Sequence, residues 1–266
     1  MENKKVSKRR ADQTTPELDA FEDWMRENGV CWDPTAIEMR ACGGVENGSR
    51  PHYAVFANRN VNIGEAVVDI PKRVCLNSVT TRISGLMDQA EISGGLALII
   101  AVMFERALGE ESYWFPYFQI LPQREPLPMF WSKDELQIVK GTDLRKIIRS
   151  DRVDMREDWE DIVAPFIAES CAALPWEKMT YAAFRECASL TASRSFCIDS
   201  YHGASMVPLA DMFNHRTDGE HIHLEIEEGQ DQAEDQAEDH AEDDETDDED
   251  DESEGDKSED DESEEE

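Results

Sequence analysis

Val207-Pro208-Leu209-Ala210-Asp211-Met212-Phe213-Asn214-His215 follows Ser193-Arg194-Ser195-Phe196 after a ten-residue gap. An arginine closes an apolar helical pattern, and a short apolar run then ends in Asp, Asn and His. Polar groups gathered at the end of a buried run are the arrangement in which side chains can be held for binding. Without further context, Asn214 and His215 would be a polar turn, Asp211 a turn cap and Arg194 an ion-pair partner at the core edge.

Upstream of this stretch the apolar period is helical for about a hundred residues. Thr180 to Leu190 and Val153 to Ala173 read as helices, and Ser132-Lys133-Asp134-Glu135 is a capping-box pattern that should open another. Leu96, Ile99, Ile100, Met103 and Phe104 form an apolar helix face, stopped by Gly109. Trp114 to Phe118 reads as core packing. Before about residue 85 the pattern is β-rich. Val55 to Ala57 and Ala66 to Ile70 flank the turn-forming Asn60 to Glu65, so a hairpin is expected, ended by Pro71. Thr15-Pro16-Glu17 is a helix start: hydroxyl cap, proline in the first turn, early carboxylate. Leu18, Phe21, Trp24 and Met25 then share one face, and Gly29 stops it.

Charge divides the chain. Of 266 residues, 61 are acidic and 26 are Lys or Arg, for a formal charge of −35. Positions 231–266 hold 24 of the acidic residues against one lysine, which leaves the first 230 positions at −12. Like-charge repulsion without apolar residues predicts a disordered acidic tail over 226–266. Lys4, Lys5, Lys8, Arg9 and Arg10 sit in a polar start, expected to be a frayed, disordered basic N-terminus over residues 1–15. An acidic body argues against tracking phosphates, so no direct nucleic-acid partner is expected, whereas basic proteins are. Leu96 to Phe104 is the longest apolar run and is about half of what a bilayer span needs, so no membrane partner is expected. Nucleus or cytoplasm is the expected location. The six cysteines lack any C-x-x-C pair, which fits reduced core thiols rather than structural zinc. His221 and His223 beside carboxylates fit an alternating surface strand more simply than a metal site.

Four stretches together resemble the SET-domain methyltransferases of the Rubisco large-subunit methyltransferase-like group. They are Ala57 to Glu65 with Ile70-Pro71-Lys72; Trp114-Phe115-Pro116-Tyr117 with Leu121-Pro122; Phe130-Trp131-Ser132 with Gly141-Thr142; and the Arg194 and Asn214-His215 segments quoted above. The resemblance covers residues from about 18 to 225. It implies an α+β fold: a SET-domain β core over 16–225, interrupted by a helical insert at about 85–200 and incomplete at the C-terminal end.

The resemblance also implies a chemistry. Members bind S-adenosylmethionine on one face and a substrate lysine on the other, and transfer a methyl group to the neutral amine of a lysine-bearing basic protein. Positioning and desolvation carry most of that work. Carried over by motif, Asn214 and His215 match a pair that holds the adenosine part of the cofactor. Arg194 matches an arginine near the cofactor carboxylate and substrate, a task suited to a forked guanidinium. Asp211 matches a position near the substrate channel. His52-Tyr53-Ala54 stands where the family carries Gly-x-Gly against the cofactor, so a bulkier loop is expected there. Catalysis in the family relies on a tyrosine downstream of the Asn-His pair. Tyr53, Tyr113, Tyr117, Tyr181 and Tyr201 all precede His215. No catalytic residue is therefore assigned, and a truncated, weakly active enzyme is expected. The competing expectation is a non-catalytic module that holds histones or ribosomal proteins through its acidic tail.

Overall fold

The computed structural model describes residues 14–42, 51–217, 219 and 221–226. The expectations of a disordered basic start and a disordered acidic tail therefore lie almost wholly outside the described residues.

Helix α1 spans Pro16–Glu27, and its start is the one its sequence encodes: the Thr15 side chain accepts from the Leu18 N–H at 3.2 Å, with Pro16 behind it. Leu18, Phe21, Trp24 and Met25 are its buried face, and Gly29 ends it at φ +80°. The chain then forms β1 (Cys31–Trp32), β2 (Ile37–Cys42), β3 (His52–Ala57) and β4 (Val68–Asp69).

The expected hairpin between Val55–Ala57 and Ala66–Ile70 does not form. β3 instead runs antiparallel to β2, from Ile37 opposite Ala57 to Cys42 opposite His52, while β4 pairs with β1. The physical reason lies in the loop between the runs. Arg59 there is tied to Asp33 at 2.8 Å and to Glu65, so the loop is fastened to the chain just before β2 rather than closing locally. The partner β2 alternates apolar and polar residues over Ile37 to Arg40; Ile37 and Met39 are buried, and so is Glu38, which is paired to Arg40.

The helical insert follows. α2 is Ser84–Gln89; α3, Gly94–Leu108, is the central helix and stops at Gly109 with φ +64°. Glu105, fully buried within it, accepts from the hydroxyls of Thr81 at 3.0 Å and Ser112 at 2.7 Å. α4 is Phe115–Ile120, and Trp114 at its cap is buried, donating from Nε1 to the Val74 carbonyl at 2.8 Å.

The expected capping box is present, with Glu135 accepting from the Ser132 N–H at 2.7 Å, yet it opens only a three-residue 3-10 turn. The chain soon turns at Gly141, where φ is +87°. The helix expected over Val153 to Ala173 begins earlier. α5 is Leu144–Asp158, and a π-turn over Trp159–Val163 joins it to α6, Ala164–Glu169. Pro165 cannot donate a backbone bond, and the wide turn immediately before it absorbs that gap. α7, Tyr181–Arg194, is capped by Thr180 and packs on α3.

The segment after α7 returns to β structure: β5 (Ser195–Cys197) pairs with β6 (Ala204–Met206), and Met206 bridges Leu76. One apolar core joins α1, α3, α4, α7 and Met206 with Leu209 and Met212. Among the described residues no helix is long and apolar enough to cross a membrane. Of the cysteines only Cys75 and Cys187 are core thiols; Cys31, Cys171 and Cys197 are exposed, and Cys42 is half-buried, so the core-thiol expectation holds for two of six.

Candidate functional site

α7 ends at Arg194, and a 3-10 turn over Ala210–Met212 lies against β3. This places the two strongest motif segments and the His52-Tyr53-Ala54 strand in one neighbourhood. The turn is entered through Leu209, a fully buried residue at φ +75° and ψ −44°, close to the γ-turn geometry that is strained for any side chain. That backbone reversal turns Asp211 inward.

The side chain of Asp211 has no solvent exposure. Its Oδ2 accepts from the Tyr117 hydroxyl at 2.9 Å and from Arg194 Nη1 at 3.1 Å, and its Oδ1 is buried without a hydrogen-bond partner. Burial raises the carboxyl above its ordinary range, with Arg194 and the Tyr117 hydroxyl opposing. Tyr117 is raised well above the ordinary phenol, by burial first and by the adjoining carboxylate second. Arg194 is also raised: burial alone would lower it, and attraction to Asp211 and Glu125 more than offsets that.

Glu125 is the partner that sequence reasoning missed. Its Oε1 accepts from Arg194 Nε at 2.6 Å, and its own N–H donates to the Ser189 hydroxyl at 3.1 Å. Nothing local marks it, since it lies 69 residues from Arg194. With Nε on Glu125 and Nη1 on Asp211, the guanidinium is fixed at two points. Nη2 makes no hydrogen bond among the described residues, and the side chain is 18% exposed. A planar anion can therefore be met by a cation held in one orientation.

The remaining site residues spread outward. Ala54 is buried in β3, Tyr53 is half-buried with its hydroxyl 2.8 Å from Thr15 Oγ1, and His52 is exposed at the strand's start. Asn214 and His215 are exposed immediately after the turn. Arg194 and Asp211 are brought together, and the turn that carries Asp211 lies against β3; Asn214 and His215 follow on the surface, with polar edges open to a ligand.

No family model matches the chain. Over 211 residues, 69% of this chain and 47% of the relative, it is 28% identical to N-lysine methyltransferase setd6 of Salmo salar. It is 27% identical over 186 residues to ribosomal lysine N-methyltransferase 3 of Saccharomyces cerevisiae, covering 60% of this chain and 34% of that protein. The structure superposes on the SET domain of LSMT bound to lysine and AdoHcy with a TM-score of 0.60 at 23% identity, over 76% of this chain and 46% of that one. Rubisco LSMT bound to sinefungin and monomethyllysine gives 0.60 at 24%, over 79% and 48%. This chain has the SET-domain fold of the Rubisco large-subunit methyltransferase type. It spans less than half the length of these relatives. Within the SET fold, the β-rich beginning, the helical insert and the Arg194–Asp211 segment occur in the order that the motifs imply. Among the described residues no group of three or more His, Cys, Asp or Glu side chains could hold a metal ion.

Proposed function

We propose that this SET-domain chain belongs to an S-adenosylmethionine-dependent protein-lysine N-methyltransferase acting on basic proteins in the nucleus or cytoplasm. The observation that carries the reading is the doubly anchored Arg194, whose remaining nitrogen is available to a carboxylate. The methyltransferase names of the relatives support transfer over a purely non-catalytic module.

The residues present fit the cofactor. Arg194 would meet its carboxylate, Asn214 and His215 would hold the adenosine part, and β3 would pack beside it, with His52 exposed at the strand's start and small Ala54 buried. When bound, the cofactor supplies an electrophilic methyl group on a sulfonium. The chain's own residues bind and orient. Arg194 is held by Glu125 and Asp211, and the buried Asp211–Tyr117 pair keeps that arrangement dry. The formal charge of −35 draws lysine-rich substrates toward the molecule.

Calorimetric titration of the full chain with S-adenosylmethionine, followed by transfer of labelled methyl groups to purified histones or ribosomal proteins, tests the reading. Saturable binding lost in Arg194→Ala is expected. No heat at millimolar cofactor would overturn it.

A further inference from the structure

A second site lies at the other end of α7. An open cleft of about 330 Å³ is bounded by the 3-10 turn Pro128–Phe130, by α5 and by the start of α7. Its walls include Phe130, Trp131, Tyr181, Arg152, Arg156 and Arg185.

The three arginines are held in place mainly by groups that leave their charge unneutralised. Arg152 donates from Nε to the Met129 carbonyl at 3.0 Å, and from Nη2 to the carbonyls of Pro128 at 3.3 Å and Trp131 at 2.7 Å. Arg185 donates to the Met129 carbonyl at 3.1 Å and lies 4.9 Å from the centre of the Phe130 ring. Arg156 stacks over Tyr181 at 4.0 Å. Among the described residues the only carboxylate within ion-pair reach of the three is Glu160, 3.6 Å from Arg156 and well exposed. A guanidinium stacked on a ring keeps its edge N–H groups free for a planar acceptor. On a chain of charge −35, this cleft is lined by three arginines and by no carboxylate.

We propose that this cleft binds an acidic peptide segment of a partner protein, with Asp or Glu carboxylates on Arg156 and Arg185 and an apolar neighbour between the aromatic walls. Charge complementarity selects carboxylates, and the rings give an interleaved apolar side chain a place to lose its water. The cleft's size admits one or two side chains rather than a polymer track, and the acidic body around it repels an extended polyphosphate.

The position on α7 gives the cleft a use. Arg185 and Arg194 stand about nine residues apart on one helix, roughly 13 Å by helical rise, and Glu125 and Phe130 lie on one connecting segment. About four or five extended residues bridge that distance. A substrate bearing an acidic segment near its lysine would thus be held at both ends. That use rests on the proposed methyl transfer; the binding itself does not.

The test is fluorescence anisotropy of full-length chain with a fluorescein-labelled Glu-Glu-Phe-Glu-Glu peptide, without S-adenosylmethionine. Saturable binding that weakens as salt rises is expected, roughly fivefold weaker in R156Q and more than tenfold weaker in R156Q/R185Q. R156Q removes an exposed side chain, and an unchanged thermal midpoint separates lost binding from lost fold. The proposal is overturned by no saturable binding, by equal affinity in folded R156Q and R156Q/R185Q, or by inorganic phosphate or oligothymidylate displacing the probe as well as unlabelled peptide does. Because no cofactor is present, failure here leaves the cofactor titration standing, and failure there leaves this result standing.

Discussion

The Tyr117 hydroxyl donates to Asp211 Oδ2 at 2.9 Å across 94 positions of sequence, joining α4 of the helical insert to the motif turn that follows the insert. Asp211 Oδ1 is already buried without a partner, so Oδ2 carries the whole compensation for burying the carboxyl. Tyr117→Phe removes one of its two donors. The substitution should destabilise the fold by about 1–3 kcal/mol, the range for leaving a buried polar group poorly satisfied. Urea unfolding measures this, and a cycle with Asp211→Asn should show coupling between the two positions. Additive effects would mean that the bond contributes nothing.

Glu125 acts on the candidate site only through Arg194. Glu125→Ala frees Nε and lets the guanidinium reorient, so S-adenosylmethionine affinity should fall about fivefold, equivalent to about 1 kcal/mol. Glu125→Gln keeps an acceptor oxygen and should recover most of the loss. Calorimetry of the two variants separates positioning from bulk charge: if Gln were as impaired as Ala, net charge rather than orientation would be the cause.

The clamp that replaces the expected hairpin titrates in acid. Hydrogen bonds from Thr35 and then Arg59 hold Asp33 at about 2, and Arg59 and the Asn62 N–H hold Glu65 at about 2. Both lie below their unfolded values. The clamp's contribution is therefore present above about pH 4 and lost as pH falls from about 4 toward 2. Urea midpoints of the parent and Arg59→Gln should differ at pH 5 and converge near pH 2. A gap independent of pH would show that Arg59 stabilises the loop by packing alone.

The starts of α1 and α7 and the apolar face of α3 were legible because their determinants are local: Thr15 with Pro16, Thr180, and the Leu96 to Phe104 run needed only neighbours in sequence. Strand partners were not. β3 is rich in strand-forming residues, but whether it pairs with β2 or β4 is settled by Arg59 reaching back to Asp33, 26 residues away. The Ser132 box formed its hydrogen bonds and still failed to propagate, since a cap satisfies donors without supplying an apolar face to bury. At the site, Arg194 and Asp211 were visible through motif resemblance. Glu125 and the buried role of Tyr117 were not, because each meets its partner only when the insert folds back on α7.

Leu209 offers a test in which two opposing terms can be separated. Its positive-φ backbone costs about 1–3 kcal/mol for a side chain, and its complete burial returns more, since emptying a buried leucine site costs about 2–5 kcal/mol. Packing should therefore win, and both Leu209→Ala and Leu209→Gly should lower the urea midpoint. Their order is the informative result. In ordinary backbone, glycine is the worse of the two by about 0.5–1 kcal/mol because it has more freedom to lose. Here alanine keeps the strained backbone and gives up the packing, whereas glycine gives up both, so Leu209→Gly should be the more stable variant by about 1 kcal/mol. If alanine proves the better substitute, the positive-φ turn that precedes Asp211 does not persist in solution, and the Arg194 anchor would have to be redrawn.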